Sequence, residues 1–290
     1  MTPSDYEYLC KLLKSRSGLT LSADKQYLVE SRLLPVARKT AAGNLSELVA
    51  RLKAPDSESL IVEVVEAMAT NESLFFRDKT PFEHFRDVVM PALIQSRAMS
   101  RRIRIWCAAA STGQEPYTVA IVLKEMAREL RNWRVEILAT DLSTEVLEKA
   151  KSGIYSQFEV QRGLPVVMLI KYFSQVGEMW QIAPELRSMV QFKPLNLLHD
   201  FSSLGSFDVV FCRNVLIYFD QATKIDVLQR LAAVVNQDGY LALGAAETVV
   251  GLVDSFKPMV ERRGFYVPTR GESSGSSKVI QLKPRVAASA

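Results

Sequence analysis

Histidine and cysteine are scarce in this 290-residue chain: two of the first, His84 and His199, and three of the second, Cys10, Cys107 and Cys212. The cysteines lie about a hundred residues apart, which argues against a disulfide framework or a zinc cluster and suits a reducing cytoplasm. Two histidines leave almost nothing from which to build a metal site or a histidine-based triad. No run of 18 or more apolar residues occurs, so no transmembrane helix is expected. The opening stretch, MTPSDYEYLCKLLKSRSG, carries Asp5 and Glu7 and no apolar core, unlike a secretory signal. A strong net charge is missing too, at +4 overall. The small excess is uneven: residues 1–54 hold nine Lys and Arg against five Asp and Glu, which equals the surplus of the whole chain. That asymmetry points to an acidic partner for the N-terminal segment.

What is present reads as a globular α/β protein. The first hundred residues show helical spacing only. Tyr6, Leu9, Cys10 and Leu13 recur at helical intervals up to a stop at Gly18, and a second helix runs to Gly43 with a kink expected at Pro35. NLSELVARLK follows, then SESLIVEVVEAMAT with Leu60, Val64, Val65 and Met68 on one face. Pro81 opens a further helix. After residue 101 the pattern alternates: strands at 102–107, 135–141, within 207–219 and at 239–244, with helices between them. Near-continuous apolar runs in such strands indicate a parallel sheet covered on both faces. Between them, MWQI and MVQF predict two short strands around a turn, a small β insertion beside the main sheet. The expected division is a helical domain with its linker over 1–78, an α/β domain over 79–270 with the β insertion at about 165–194, and a disordered Ser/Gly-rich tail over 271–290.

The turn after the first strand, AAASTGQEP, stands where a doubly wound sheet binds its ligand. A diphosphate needs several glycines and a helix N-terminus free of negative charge. Here Gly113 is alone, and Glu115 precedes Pro116 at the helix start. Glu115 either caps the helix and complements its dipole, or faces a ligand carrying positive charge. Asp141 ends the second strand in ATDLS, the position from which an acid holds ribose hydroxyls; Ser143 is better placed to cap the next helix. A nucleoside with a cationic end and no diphosphate describes S-adenosylmethionine.

With these residues in view, the chain resembles the chemotaxis receptor methyltransferases, the CheR family, over roughly residues 5–268. Six segments in the right order carry the resemblance: ATNESLFFRD (69–78), AAASTGQEPYTVA, ILATDLS, LNLL, FDVVFCRNVLIYF and GYLALGAAE. It implies a Rossmann-like S-adenosylmethionine-dependent methyltransferase domain preceded by an all-α N-terminal domain. It also implies roles. Asn71, Ser73 and Arg77 would reach over the cofactor from the linker. Glu115 would take the amino group of its methionine part and Asp141 its ribose. Asn196 and Leu197 would frame the adenine, with Cys212, Arg213 and Asn214 as the floor. Arg77 and Tyr218 would lie near the transferring methyl as the catalytic pair. Ser73 stands where threonine is common, and GAAE has alanine where serine or histidine often occurs, so no role is assigned there.

The implied reaction esterifies receptor glutamates and leaves S-adenosylhomocysteine. A glutamate of pKa about 4.3 is already an anionic nucleophile at neutral pH, so the scarcity of histidine is no obstacle. The implied substrate is a helical chemoreceptor bundle in the cytoplasm, met through Arg32, Arg38 and Lys39 on the second helix. Some family members grip a receptor tether with a longer, glycine-rich turn in the β insertion. SQVGEMWQ is short with one glycine, which implies independence of a tether. A monomer suffices, and neither metal nor membrane insertion is called for. A nucleic-acid amino-methyltransferase should carry an Asn/Asp-Pro-Pro-aromatic tetrapeptide where this chain has RNVLIYF, and a nicotinamide enzyme should carry G-x-G-x-x-G. A non-catalytic S-adenosylmethionine-binding scaffold is the remaining alternative.

Overall fold

The computed structural model describes residues 1–269, so the tail expected to be disordered at 271–290 lies outside the described residues. Four helices form the N-terminal layer: α1 (Pro3–Ser17), α2 (Gln26–Lys39), α3 (Leu45–Leu52) and α4 (Glu58–Met68). α1 starts in a capping box between Thr2 and Asp5 and stops at Gly18, whose left-handed φ of 78° lets its amide reach the Lys14 carbonyl. α2 continues through Pro35, which faces solvent, where water can serve the carbonyl that proline leaves free. Leu9, Leu13, Val29, Leu33, Leu48, Val64 and Met68 close a separate core between these helices. Leu60 packs at its edge.

After a linker come α5 (Thr80–His84) and α6 (Met90–Ser96), joined by one π turn over Phe85–Val89. Pro91 has no amide to give the preceding turn, and the Met90 amide instead reaches back five residues to Phe85. Strands β1 (Arg102–Ala108) and β2 (Arg134–Asp141) follow, each leading into a helix, α7 (Gln114–Glu125) and α8 (Thr144–Ser152). Next come β3 (Ile154–Ser156), α9 (Gln157–Gln161), α10 (Val166–Tyr172), β4 (Phe173–Val176), β5 (Met179–Ile182), α11 (Pro184–Arg187) and β6 (Val190–Pro194). The chain ends its described part with β7 (Phe207–Cys212), α12 (Gln221–Val234), β8 (Val235–Leu243), β9 (Phe256–Pro258) and β10 (Phe265–Pro268).

Seven strands make one sheet in the order β6-β2-β1-β7-β8-β10-β9, parallel from β6 to β8 and antiparallel beyond. The alternating strands and helices thus give the expected parallel sheet, with apolar cores on both faces. The β insertion differs from expectation. Its strands are β3, β5 and β4, all antiparallel, drawn from residues 154–182. MWQI belongs to it as β5, but MVQF does not: Val190 pairs with Ile137 and Phe192 with Ala139, placing β6 at the edge of the main sheet. A four-residue apolar run does not say which of two sheets it joins. The neighbours of β5 are instead a strand before it in the same stretch and IYS, which carries no alternating signal of its own.

The linker is seated on this small sheet. The Phe75 ring packs edge-on against Tyr155 at 5.0 Å and Phe173 at 5.5 Å between centroids. Gly163 sits beside it at φ +89°, and a Cβ there would come within 2.1 Å of the Phe75 carbonyl oxygen. Gly163→Ala should therefore destabilise the protein by about 2 kcal/mol or more through strain and forced displacement of the linker. Denaturant unfolding measures this; an unchanged midpoint would show that the linker is free to move.

Candidate functional site

Three strand ends meet at one edge of the sheet: Ala108 of β1, Asp141 of β2 and Cys212 of β7. The turn beyond β1 is tightly coiled, with Ala109 at φ 61° and Ser111 at φ 49°, before Gly113 at φ 94° starts α7. A Cβ on Gly113 would lie 2.9 Å from Ala150 Cβ and 3.0 Å from Tyr155 Oη. The lone glycine thus serves close helix packing, not the approach of a diphosphate. Asp141 is nine-tenths or more buried at the tip of β2, and it accepts from the Ser111 amide at 2.8 Å and the Ser143 amide at 3.0 Å. Ser143 caps α8 as expected, yet Asp141 is not left free: two backbone amides hold it, one on each oxygen. Each oxygen keeps a further lone pair for a ligand.

Arg213, just past β7, is the centre of the site. Its side chain is 1% exposed. Nη1 donates to Glu115 Oε2 at 2.8 Å, while Nη2 donates to Asp78 Oδ2 at 2.8 Å and to the Arg77 carbonyl at 2.9 Å. The guanidinium also lies over the Phe82 ring, 5.3 Å from its centroid. Glu115 is therefore neither a plain cap nor an unpaired carboxylate; it is half of a buried ion pair. Burial raises the Glu115 carboxyl above its ordinary range and Arg213 opposes that rise. Burial also raises Asp141, against the pull of its backbone amides.

These groups open on a cleft with about 1040 Å³ of empty space, open solvent at its mouth included. Asn71, Ser73 and Arg77 line it from the linker, Glu115 and Asp141 from the strand ends, and Asn196, Leu197, Arg213, Asn214 and Tyr218 from the remaining walls. Ten of the eleven residues read from the sequence thus come together. Cys212 does not line the cleft: its side chain is fully buried among Trp106, Leu216 and Leu243 at the base of the floor. Two contributions escaped the sequence. Asp78 joins the Arg213 network from an exposed position at φ 68°. The N-terminal helices supply a whole wall, including Ser17, Leu19, Val65 and Met68.

That wall is tied to the α/β domain by named bonds. Asn196 Nδ2 donates to the Arg16 carbonyl at 2.7 Å, the Thr20 amide to the Tyr218 carbonyl at 2.9 Å, and the Thr144 amide to Glu66 Oε1 at 2.7 Å. Lys14 pairs with Asp220 at 2.6 Å. Arg32, expected on a docking surface, is spent inside: it donates to the carbonyls of Met68 at 2.6 Å and Ala69 at 3.0 Å, and to Thr70 Oγ1 at 3.1 Å. It fastens the end of α4 where the linker leaves. Lys39 reaches Glu63 at 2.7 Å on the surface, and Arg38 is exposed. Among the described residues no three of His, Cys, Asp and Glu converge as a metal site, and no helix is long and apolar enough to cross a membrane.

Two family models cover nearly all of this structure. "CheR methyltransferase, all-alpha domain" matches residues 4–69, and "CheR methyltransferase, SAM binding domain" matches residues 71–265. The chain belongs to the CheR methyltransferase family. The junction of the two CheR models falls at the linker, beside the cleft. Curated CheR relatives include the chemotaxis protein methyltransferase Cher2 of Pseudomonas putida, 41% identical over 87% of this chain and 93% of its own length. Chemotaxis protein methyltransferase 1 of Vibrio cholerae is 40% identical over 89% and 94%. That of Pseudomonas aeruginosa is 42% identical over 88% and 93%. Magnesium protoporphyrin IX methyltransferase of Synechocystis overlays on 62% of this chain and 64% of its own at 16% identity and a TM-score of 0.31, too loose to bear on function. The CheR domain over 71–265 is a binding domain for S-adenosylmethionine (SAM), and the chain is a SAM-dependent methyltransferase.

The two raised carboxyls make ligand binding pH-dependent. A proton is held more tightly by Glu115 and Asp141 in the folded free protein than in the unfolded chain, so their contribution to stability falls as pH rises through the raised values. A cationic or hydroxyl-bearing ligand favours the ionised forms. Affinity for S-adenosylhomocysteine should therefore rise, with release of protons, as pH climbs above the ordinary carboxylate range, and Glu115→Gln should flatten that slope. Titration calorimetry in buffers of different ionisation enthalpy reads the proton count; a flat profile in the wild-type protein would contradict the assignment.

Proposed function

We propose that this methyltransferase esterifies glutamate side chains of chemoreceptors, acting in the cytoplasm as a monomer. The observation that carries the reading is a cleft built to bind and orient, in which, among the described residues, each lining carboxylate already has a partner. Glu72 is engaged by Arg162, Glu115 by Arg213 and Asp141 by backbone amides, and neither histidine lines the cleft. An acceptor that is already an anion needs no base. The names of the relatives, chemotaxis protein methyltransferases, support a receptor as the source of that anion.

The cleft fits SAM by its donor set. The Glu115 carboxylate would accept from the ammonium of the amino-acid end, and the Arg213 guanidinium beside it would face that end's carboxylate. Asp141, with one lone pair left on each oxygen, would accept from the ribose hydroxyls. Asn196 and Leu197 would frame the base, and Asn71 and Ser73 would cover it from the linker. When bound, SAM supplies a methyl group already made electrophilic by its sulfonium. The Arg77 side chain makes a single hydrogen bond among the described residues, to the Glu72 carbonyl at 3.1 Å, which leaves donors of its guanidinium for an incoming carboxylate. Tyr218, from the turn Leu216–Tyr218, would donate to the second oxygen. Both act by orientation and by excluding water, since a tighter hold would dull the nucleophile.

Receptor docking falls to the exposed side of α2, where Tyr27, Leu34 and Arg38 follow one another at helical spacing and Lys39 adjoins them. Arg32 supports that surface from beneath instead of meeting the receptor. The turn between β4 and β5 is only Gly177 and Glu178, which supports independence of a receptor tether.

The decisive experiment is transfer from labelled SAM to a receptor cytoplasmic fragment. Label released as methanol by alkali, and absent when the receptor's target glutamates are alanine, is the expected result; an alkali-stable product would overturn the assignment. Removing the receptor's C-terminal residues should leave the rate unchanged. Arg38→Glu should weaken receptor binding roughly 3- to 10-fold at low salt and leave S-adenosylhomocysteine binding intact. Arg32→Glu should lower both, because it releases the linker; equal behaviour of the two variants would contradict this division of labour.

A further inference from the structure

A buried carboxylate outside the cleft shapes its floor. Glu247 follows β8, is 8% exposed, and pairs with no Lys or Arg among the described residues. Instead, Oε2 accepts from the amides of Gly244 at 2.7 Å and Asn214 at 2.8 Å, and Oε1 from those of Val215 at 3.0 Å and Ile217 at 3.3 Å. A carboxylate has about four lone-pair sites, and here all four meet backbone N–H groups. Three of those donors belong to the loop that runs from Arg213 to Tyr218. Asn214 in that loop takes φ 60°, in the left-handed region that asparagine tolerates better than most residues. The fit is close: a Cβ on Gly244 would lie 2.7 Å from both Glu247 Oε2 and Asn214 Nδ2.

We propose that Glu247 is a positioning residue for methyl transfer, fixing the backbone that carries Asn214 and Tyr218 without itself touching cofactor or receptor. Its activity arm rests on the methyl-transfer reading above. The other groups that would hold SAM, namely Glu115, Asp141, Asn71 and Asn196, stand on elements that Glu247 does not bond. Loss of Glu247 therefore separates turnover from cofactor affinity. Glutamine is the informative replacement, because its amide oxygen accepts on one side while its NH₂ group faces two N–H donors on the other. Asp208 supplies the matched control. It is buried at the opposite end of β7 and accepts from Arg97 Nε at 2.9 Å, the Arg104 amide at 2.8 Å and Asn236 Nδ2 at 2.9 Å.

Glu247→Gln and Asp208→Asn should be compared with the wild-type full chain. The expected result for Glu247→Gln is a kcat lower by roughly 10- to 100-fold at saturating receptor fragment, with S-adenosylhomocysteine affinity changed less than about 3-fold. Asp208→Asn should lower the unfolding temperature and leave kcat within about 2-fold. Amide hydrogen exchange of residues 213–219 gives a readout that does not depend on activity: slow in the wild type, faster in Glu247→Gln, unchanged in Asp208→Asn. Unchanged exchange in Glu247→Gln, equal losses of turnover and affinity, or the same loss of turnover in Asp208→Asn would each overturn the proposal. A wild-type protein that transfers nothing would instead count against the receptor reading, and the exchange result would still decide the role of Glu247.

Discussion

The buried guanidinium of Arg213 is the constraint on which the cleft depends. A charge placed at the end of a central strand, in an apolar core, is tolerable only when every partner is in place. The partners come from two separate parts of the chain: Glu115 from the helix after β1, and Asp78 and the Arg77 carbonyl from the linker. Satisfying one charge therefore fixes the linker against the sheet. The linker accepts an unusual backbone to do this, with Phe76, Asp78 and Lys79 all at positive φ. That strain is sustained by Phe75, locked among Tyr155 and Phe173, and by the Phe82 ring beneath the guanidinium.

The same sheet edge keeps three acidic groups out of water in two different ways. Glu115 is balanced by a cation. Asp141 and Glu247 are balanced by backbone amides, two for the first and four for the second. Amide dipoles cannot move away as a long side chain can, so they hold a position as well as a charge. A cleft floored by such groups is shaped before its ligand arrives, which lowers the ordering cost of binding. The helical domain adds little chemistry of its own, yet its Arg16 carbonyl and the Thr20 amide are bonded to Asn196 and Tyr218. Closing that wall against the sheet removes water from the place where charge is transferred.

Much of this was legible in the sequence because the signals were local. Gly18 and Ser143 mark helix ends through their own backbone or side-chain chemistry, and Asp141 is recognisable as the last residue of an apolar strand. The single glycine at 113, with Glu115 two residues on, argued against a diphosphate, although in the structure Glu115 is paired with Arg213 and Gly113 serves helix packing. What stayed hidden depends on partners distant in the chain. MVQF joins the main sheet because β2 offers it an edge, a fact that resides in residues fifty positions away. Arg32 looks like a surface charge until α4 brings three acceptors to it. Asp78 and Glu247 sit in segments whose local pattern is that of any exposed turn. Their meaning comes from Arg213 in one case and from a row of unpaired amides in the other.

The sheet order has a consequence for synthesis. β1 lies next to β7, so Ala108 waits for Cys212, about a hundred residues later, before its second neighbour exists. The helical domain is complete once Met68 has emerged and has its own core, whereas the cleft needs Arg213 through Phe219. A ribosome-bound chain thus carries a central strand paired on one side only for much of elongation. In the interval β2 covers one edge of that strand, and the other edge stays open until β7 arrives.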